Sequence, residues 1–344
     1  MQTIRVSDRK IGENESTFII AEAGSNHNRK LSQAKQLIDI ASQAKVDAIK
    51  FQVFSANKHY SKKTPKFSYL KSKKSTYDII KENELPREWI GELSDYSKEK
   101  DLIFLATPSD IEAIDLLESI GVPAYKWASF EIVDLPLLKY VASKKKPIFL
   151  STGLCNLDDI KDALDTIYST GNKDVVLLHC ISLYPTAANQ VNLRAMDTIK
   201  KEFNVLIGYS DHSLGIMIPI AAVARGATVI EKHFTISRKL EGPDHKFAIE
   251  PDELKMMVAG IREVKVSLGS SIKKMIPEEE EMARLARRSI IAKTNIPKGT
   301  IILEDMLIIK RPGFGIKPKY LNQVIGKKAK KDIQAEDVIT WEYI

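Results

Sequence analysis

Eight short runs rich in β-branched and apolar residues recur along the chain as far as His233, each closing on polar side chains. That repeat constrains the fold more than any other feature. The runs are Phe18–Glu22, Asp47–Gln52, Leu102–Thr107, Ala124–Ala128, Pro147–Ser151, Asp174–His179, Val205–Ser210 and Thr228–His233. Helical patterns lie between them. Leu31 to Ala44 sets Leu31, Ala34, Leu37, Ile38 and Ala41 on one face, and Ser109 to Ile120 opens with a cap and repeats Ile111, Ile114, Leu116 and Leu117. Leu135–Ser143, Asp158–Ser169, Leu193–Lys201, Gly215–Ala224 and Pro251–Leu268 complete the set. Eight strands alternating with helices over roughly 250 residues specify an α/β chain folded as a (β/α)8 TIM barrel. An open doubly wound sheet would use fewer strands and a glycine-rich phosphate turn after the first of them. No GxGxxG follows Phe18–Glu22.

The repeat stops at Leu268. Leu268 to Met282 (LGSSIKKMIPEEEEM) carries Gly, Ser, Pro and a run of Glu, the pattern of a linker that turns helical at its acidic end. Ser289–Lys293, Thr300–Leu303 and Met306–Lys310 are expected as short strands, with turns at Asn295–Gly299 and Pro312–Gly315. The expected organisation is a barrel over residues 1–268, a linker over 269–283 and a small β-rich domain over 284–344. The net charge of +7 belongs to that last piece, which holds 13 Lys and Arg against 6 Asp and Glu, while the residues before it balance. Such a surplus reads as a solvated surface, or as a contact for an anionic substrate or nucleic acid. The tail lacks the aromatic platforms expected for single strands. No window of 18 apolar residues is present, so no membrane span is expected. Met1 to Asn14 is polar and lacks the apolar core of a signal peptide, and Cys155 and Cys180 are the only cysteines. A reduced, cytoplasmic protein is expected.

In a barrel the reactive groups lie at the carboxyl ends of the strands. Polar residues fall there in all eight runs: Glu22 with Asn26 and His27; Lys50 and Gln52; Thr107; Lys126 with Ser129 and Glu131; Ser151 and Thr152; His179 with Ser182 and Tyr184; Ser210, Asp211 and His212; Glu231, Lys232 and His233. One such residue is commonly a cap or a core lysine. A whole ring of them is costly to bury without a ligand. Lys50, Lys126, Thr107, Ser129, Ser151 and Ser210 suit phosphate and carboxylate oxygens. His212 and His233, on neighbouring strands, suit a divalent metal with open positions. Two nitrogens under-coordinate zinc, so Mn2+ or Mg2+ with waters fits better. Glu131 and Glu22 are candidates for acid–base work.

The segments IIAEAGSNHN (Ile19–Asn28), DAIKFQ (Asp47–Gln52), KWASFE (Lys126–Glu131), STGL (Ser151–Leu154), HCISLYP (His179–Pro185), GYSDHS (Gly208–Ser213), EKHFT (Glu231–Thr235), GPDHK (Gly242–Lys246) and KRPGFGI (Lys310–Ile316) resemble the sialic acid synthase family, legionaminic and pseudaminic acid synthases included. The resemblance runs through nearly the whole chain in order. It implies a TIM barrel followed by an antifreeze-like SAF domain, a homodimer in which each small domain caps the partner's barrel, and a bound Mn2+ or Mg2+. Phosphoenolpyruvate would be held by Lys50, Thr107, Lys126, Ser129, Ser151, Ser182, Tyr184 and Ser210, and the metal by His212 and His233. The amino sugar would meet Glu22, Gln52, Glu131, Tyr184 and Asp244, with Arg311 reaching its N-acetyl group from the other subunit. Three positions depart from the common pattern: Ser182 replaces an Asn, Leu285 an aromatic residue and Phe314 an Asn.

The expected activity is condensation of phosphoenolpyruvate with an N-acetylated hexosamine and water, releasing phosphate. The leading expectation is an N-acetylneuraminate synthase. Pseudaminic and legionaminic acid synthases are the alternatives: Ala128–Leu137 and Gly313–Tyr320 lean to the pseudaminic branch, and AEAGSNHN and GPDHK to the sialic and legionaminic branches. Glu131, Glu22 and His233 are expected to act in the chemistry, Glu131 as acid–base. A sugar-phosphate acceptor would need a further phosphate site and no appended β domain. A non-catalytic carbohydrate or nucleic-acid binder is the remote alternative.

Overall fold

The computed structural model describes residues 2–65 and 74–344. The chain divides into two compact units, Met1–Gly269 and Ser270–Ile344. The first begins with an antiparallel hairpin, β1 (Thr3–Val6) and β2 (Arg9–Gly12). Eight parallel strands follow: β3 (Phe18–Gly24), β4 (Ala48–Val53), β5 (Ile103–Pro108), β6 (Tyr125–Trp127), β7 (Ile148–Ser151), β8 (Val175–Cys180), β9 (Leu206–Asp211) and β10 (Val229–His233). Their spatial order is β5-β4-β3-β10-β9-β8-β7-β6, and β5 and β6 lie side by side to close the ring. This is the expected TIM barrel, and all eight expected runs contribute its strands.

The apolar faces read from the sequence become the outer shell. Ala34, Leu37, Ile38 and Ala41 of helix Leu31–Gln43 are buried, as are Ile160, Ala163, Leu164 and Ile167 of helix Leu157–Ser169, whose start is held by an Asn156–Asp159 capping box. The expected pattern assigned no helix after the second strand. The structure has Ala56–His59, Thr76–Glu82 and Ile90–Glu99 there. In the last of these only Ile90, Leu93 and Ser97 are buried, too thin a stripe to read against the surrounding charged residues.

The hairpin was legible only as a polar amino terminus. Ile4, Val6 and Ile11 nevertheless alternate with polar residues, and the structure packs all three into the inner core with Phe18, Ile20, Ala48, Leu105, Phe149 and Val229. The hairpin thus plugs the amino-terminal end of the barrel. Asp47 ties this end together: its carboxylate accepts from the Ile19 amide (2.7 Å) and pairs with Arg262 (2.8 Å) and Arg9. Ile11→Ala is expected to lower stability by about 2–5 kcal/mol through lost burial and the cavity left behind. A urea titration would read this, with the folded fraction keeping its activity because Ile11 lies at the end opposite the strand-end polar ring.

The second unit has its own core of Ile290, Ala292, Ile296, Ile302, Ile316, Val324, Ile333 and Ile339. Its acidic stretch is helical over Glu280–Ala286, as the sequence suggested. β11 (Ser289–Ala292) pairs antiparallel with β12 (Leu307–Lys310). The expected strand at Thr300–Leu303 is not one: Ile301 makes a single bridge to Lys328, and a 3-10 turn begins at Glu304. The Ile302 amide donates to the Lys327 carbonyl, and the Gly326 and Ala329 amides donate to the carbonyls of Ile302 and Thr300, so the stretch pairs irregularly with 326–329 without forming a strand.

Candidate active site

Alternation along each strand decides which residues face the barrel axis. Phe18, Ile20, Ala48, Leu105, Ala124, Phe149, Leu206 and Val229 fill the inner core. Glu22, Lys50, Thr107, Lys126, Ser151, Ser210, Glu231 and His233 lie in phase with them, nearer the carboxyl ends. Each strand therefore turns from apolar to polar as it approaches its carboxyl end, and the polar ends converge. Residues of the opposite phase belong to the wall. Lys232 Nζ bonds Asp211 Oδ2 (2.5 Å), which sits beside the Tyr209 hydroxyl and Ser213, and His179 Nε2 lies 2.8 Å from Val191 O. His27, expected at a strand end, accepts from the Arg29 amide instead.

At the centre stands Glu231, a residue named as a strand end but left out of the expected site. Its Oε1 accepts from Ser210 Oγ (2.8 Å) and lies 3.7 Å from Lys126 Nζ, while its Oε2 lies 3.5 Å from Lys50 Nζ. Its parity with His233, two residues on, was the signal that could have included it. Lys50 Nζ also bonds Thr107 Oγ1 (3.0 Å) and Glu22 Oε2 (3.1 Å), and Gln52 Nε2 donates to Glu22 Oε1 (2.7 Å). Lys126 Nζ bonds Ser151 Oγ at 2.7 Å and the Trp127 carbonyl at 3.0 Å.

Burial sets the protonation pattern of this cluster. It pushes Glu22 up to about 7, against the pull of Lys50 and with the help of the like charge on Glu231. Burial also opposes charge on Glu231, but Lys126 and Lys50 together hold it below the ordinary carboxylate range. Burial lowers Lys126. It would lower Lys50 too, but Glu22 and Glu231 outweigh it and raise that lysine. With Glu22 neutral, two ammonium groups face one carboxylate, and the residual positive charge suits an anion.

Hydroxyls line the adjoining side. The Gly153 amide donates to Ser129 Oγ (2.9 Å), and a Cβ at Gly153 would stand 2.3 Å from Ser182 Oγ and 2.9 Å from Ser129 Oγ. Only glycine leaves that cradle open. Ser182 Oγ is buried without a hydrogen-bond partner. Tyr184 packs its ring 4.2 Å from that of His212 and 5.4 Å from that of Phe247.

The two histidine rings lie 5.4 Å apart. His212 Nδ1 is 2.8 Å from the Ile181 carbonyl, which can only accept, so Nδ1 carries a hydrogen and Nε2 is the nitrogen that would face a metal once deprotonated. Burial opposes charge on this ring, but Cys180, its Sγ 3.7 Å from Nδ1, outweighs it and raises the imidazole. Burial, then the neighbouring His212, hold His233 well below the usual imidazole range, in the neutral form that ligates metal. His233 Nδ1 is buried without a hydrogen-bond partner, with Asp244 Oδ2 at 3.8 Å. Asp244 accepts from the Ser25 amide (3.1 Å). Gly24 (φ +50°) lets this corner close, since a Cβ there would meet Asp244 Oδ2 at 2.5 Å. Among the described residues no group of three or more His, Cys, Asp or Glu is arranged to hold a metal. The pair fits an ion that draws its remaining ligands from substrate and water.

Glu131 sits on a turn after β6, its Trp127 neighbour anchored by an indole bond to the Glu131 carbonyl (2.9 Å). Burial lifts its carboxyl to about 7, against the pull of Lys126. Its Oε1 lies 3.1 Å from His59 Nε2. His59 was not among the residues expected at the site.

The NeuB family model matches residues 37–273, which span most of the barrel. The chain belongs to the NeuB family, the sialic acid synthases. A SAF domain model matches residues 287–344, so the small second unit carries the SAF domain expected of this family. An N,N'-diacetyllegionaminic acid synthase from Campylobacter jejuni is 42% identical, over 94% of this chain and 99% of its own length. One from Legionella pneumophila is 40% identical, over 98% and 99%. The crystal structure of an N-acetylneuraminic acid synthetase from Leptospira borgpetersenii is 36% identical, covers 82% of this chain and 95% of that one, and superposes with a TM-score of 0.75.

The barrel thus brings Glu22, Lys50, Gln52, Thr107, Lys126, Ser129, Glu131, Ser151, Ser182, Tyr184, Ser210, His212, His233 and Asp244 to its carboxyl-terminal end. Arg311 lies in the second unit, exposed, directly after β12. Nearby, Phe314 is exposed under the Arg284 guanidinium, and Leu285 is exposed on helix Glu280–Ala286. No helix among the described residues is long and apolar enough to cross a membrane.

Proposed function

We propose that this NeuB-family enzyme condenses phosphoenolpyruvate with an open-chain N-acetylated hexosamine and water, releasing phosphate and a nine-carbon sialic-acid-type sugar. The observation that carries the reading is the buried Lys50–Glu231–Lys126 cluster. It sets two lysines against the Glu231 carboxylate and borders the hydroxyls of Thr107, Ser129, Ser151, Ser182 and Ser210. A small substrate bearing carboxylate and phosphate fits such a set, since its oxygens take up donors otherwise turned on one another.

In this reading Lys50, Lys126 and the hydroxyls hold phosphoenolpyruvate with C3 presented to the aldehyde carbon. Holding both reactants in place removes a large entropic part of the barrier. Tyr184, Gln52, Glu22 and Asp244 orient the sugar chain. His212 and His233 would hold a divalent ion, Mn2+ or Mg2+, which would supply Lewis-acid polarisation of the acceptor's carbonyl. The C3–C1 bond forms, water adds at C2, and C–O cleavage expels phosphate. Glu131, with a carboxyl near 7, both gives and takes a proton at neutral pH and serves the sugar hydroxyl and the attacking water.

Among acceptors, identities of 40–42% with two N,N'-diacetyllegionaminic acid synthases favour a diacetamido-trideoxyhexose. N-acetylmannosamine is the second reading, favoured by the 36% identical N-acetylneuraminic acid synthetase. The test is phosphate release from phosphoenolpyruvate with Mn2+ present, against N-acetylmannosamine and the diacetamido precursors of legionaminic and pseudaminic acids. Release with one of them, stopped by a chelator, supports the reaction and names the branch. No release with any of them removes it.

Arg311 in this reading contacts the acceptor's N-acetyl group in the partner subunit of a homodimer. A mixture of His233→Ala and Arg311→Ala chains is expected to regain activity, because one hybrid site then holds an intact barrel and an intact arginine. Two inactive parents that stay inactive after subunit exchange would exclude contribution across subunits.

A further inference from the structure

We propose that His59 is a positioning residue for Glu131, holding its carboxylate toward the acceptor and sharing its proton. The inference rests on the proposed role of Glu131 as acid–base.

The geometry begins with the short helix Ala56–His59, which follows β4 and leans past β5 toward the loop after β6. Its residues are tied down from several sides. The Ala56 amide donates to Glu84 Oε1 at 2.6 Å, Asn57 Oδ1 accepts from the Tyr77 hydroxyl, and Lys58 pairs with Glu112. The Tyr60 amide closes the turn on the Ala56 carbonyl at 3.0 Å. So short a helix does not hold itself together in water. Here the tethers fix the backbone, and the His59 ring, set edge-on to Tyr60 at 4.8 Å, is delivered to Glu131 Oε1 at 3.1 Å. Both side chains are largely buried, His59 at 21% and Glu131 at 11% exposure, so water competes little for the bond.

Among the described residues, charges on four elements lie around the pair. Lys126 on β6 and Asp134, at the head of the next helix, act on Glu131 in opposite senses. Asp110, which caps the helix after β5 and is itself paired with Arg87, acts on His59. Burial lowers the imidazole and lifts the carboxyl to about 7, which removes the usual preference of the proton for the ring over the carboxylate. One proton then resides on Glu131 Oε1 or on His59 Nε2. In the first state the acid donates to the ring, and in the second the ring donates to the carboxylate. Glu131 keeps one oxygen engaged in both states, which leaves the other for substrate.

The experiment compares His59→Leu and His59→Gln with wild type in the full-length enzyme, using the acceptor that wild type turns over. In His59→Leu the carboxylate loses its donor. The acidic limb of the kcat/KM profile is expected to move up by about one pH unit and kcat to fall about tenfold, the scale of one hydrogen bond to a charged group. KM for phosphoenolpyruvate should stay within about twofold, because His59 is on the Glu131 side of the site. His59→Gln keeps an N–H donor at similar reach and is expected to restore most of the limb position and the rate. An unmoved limb in His59→Leu overturns the proposal. Equal displacement in both variants also overturns it, since altered packing would then be the cause. Failure of wild type to release phosphate with any acceptor is failure of the proposed reaction, and the pair is still readable without turnover. Ring 15N signals of His59, assigned by their loss in His59→Gln, are expected to titrate at lower pH in Glu131→Gln than in wild type. Identical titrations would show that the two groups do not share a proton.

Discussion

Glu231→Leu is expected to destabilise the barrel by about 3–5 kcal/mol, because it strips a carboxylate from between two buried lysines and leaves both charges under-compensated. For a domain of this size that corresponds to a fall in thermal midpoint of about 10 °C. Scanning calorimetry would measure it. Lys50 retains Glu22 and Thr107, and Lys126 retains Ser151, so the chain should still fold. Glu231→Gln keeps the bond from Ser210 and should lose less. Phosphoenolpyruvate should recover more of the midpoint in Glu231→Leu than in wild type, since the anion replaces the missing charge. A Glu231→Leu protein that unfolds at the wild-type temperature would show that the lysines do not depend on this counterion.

The second large effect is on turnover. His233→Ala is expected to lower phosphate release by about 10^3-fold or more, the loss of several kcal/mol of charge stabilisation at the aldehyde oxygen. Calorimetric titration with Mn2+ should show loss of binding. The fold should persist, because His233 Nδ1 has no hydrogen-bond partner whose loss would strand another buried group. Its ring does pack on Phe247 at 5.1 Å, and a shift of a few degrees in the midpoint is expected from that contact alone. A His233→Ala protein that binds Mn2+ and works at the wild-type rate would remove the metal assignment.

These two expectations differ in how far the sequence announced them. His212 and His233 were legible because each follows an apolar run, and a barrel sends such positions to one end. Glu231 stood in plain view two residues before His233, but its role depends on which lysines meet it. Lys50 and Lys126 come from strands far from it in sequence. Lys232 is the converse case. It looked as reactive as its neighbours, and the structure turns it outward to Asp211 because it lies in the opposite phase of the strand. His59 gave no signal, since nothing local marks a short tethered helix as an arm reaching toward the loop after β6.

Local chemistry alone determined the strands, most of the helices, the break near Leu268 and the ring of polar strand ends. These depend on residue spacing within one element, which period and capping encode directly. Tertiary structure alone decided that an amino-terminal hairpin plugs the barrel, that Thr300–Leu303 makes a single bridge rather than a strand ladder, and that Glu131 meets His59. It also decided that Glu22 rises to about 7 while Glu231 stays charged. Each of those outcomes is set by burial and by partners dozens to hundreds of residues away, and a pKa or a plug exists only once the closed barrel has excluded water around them.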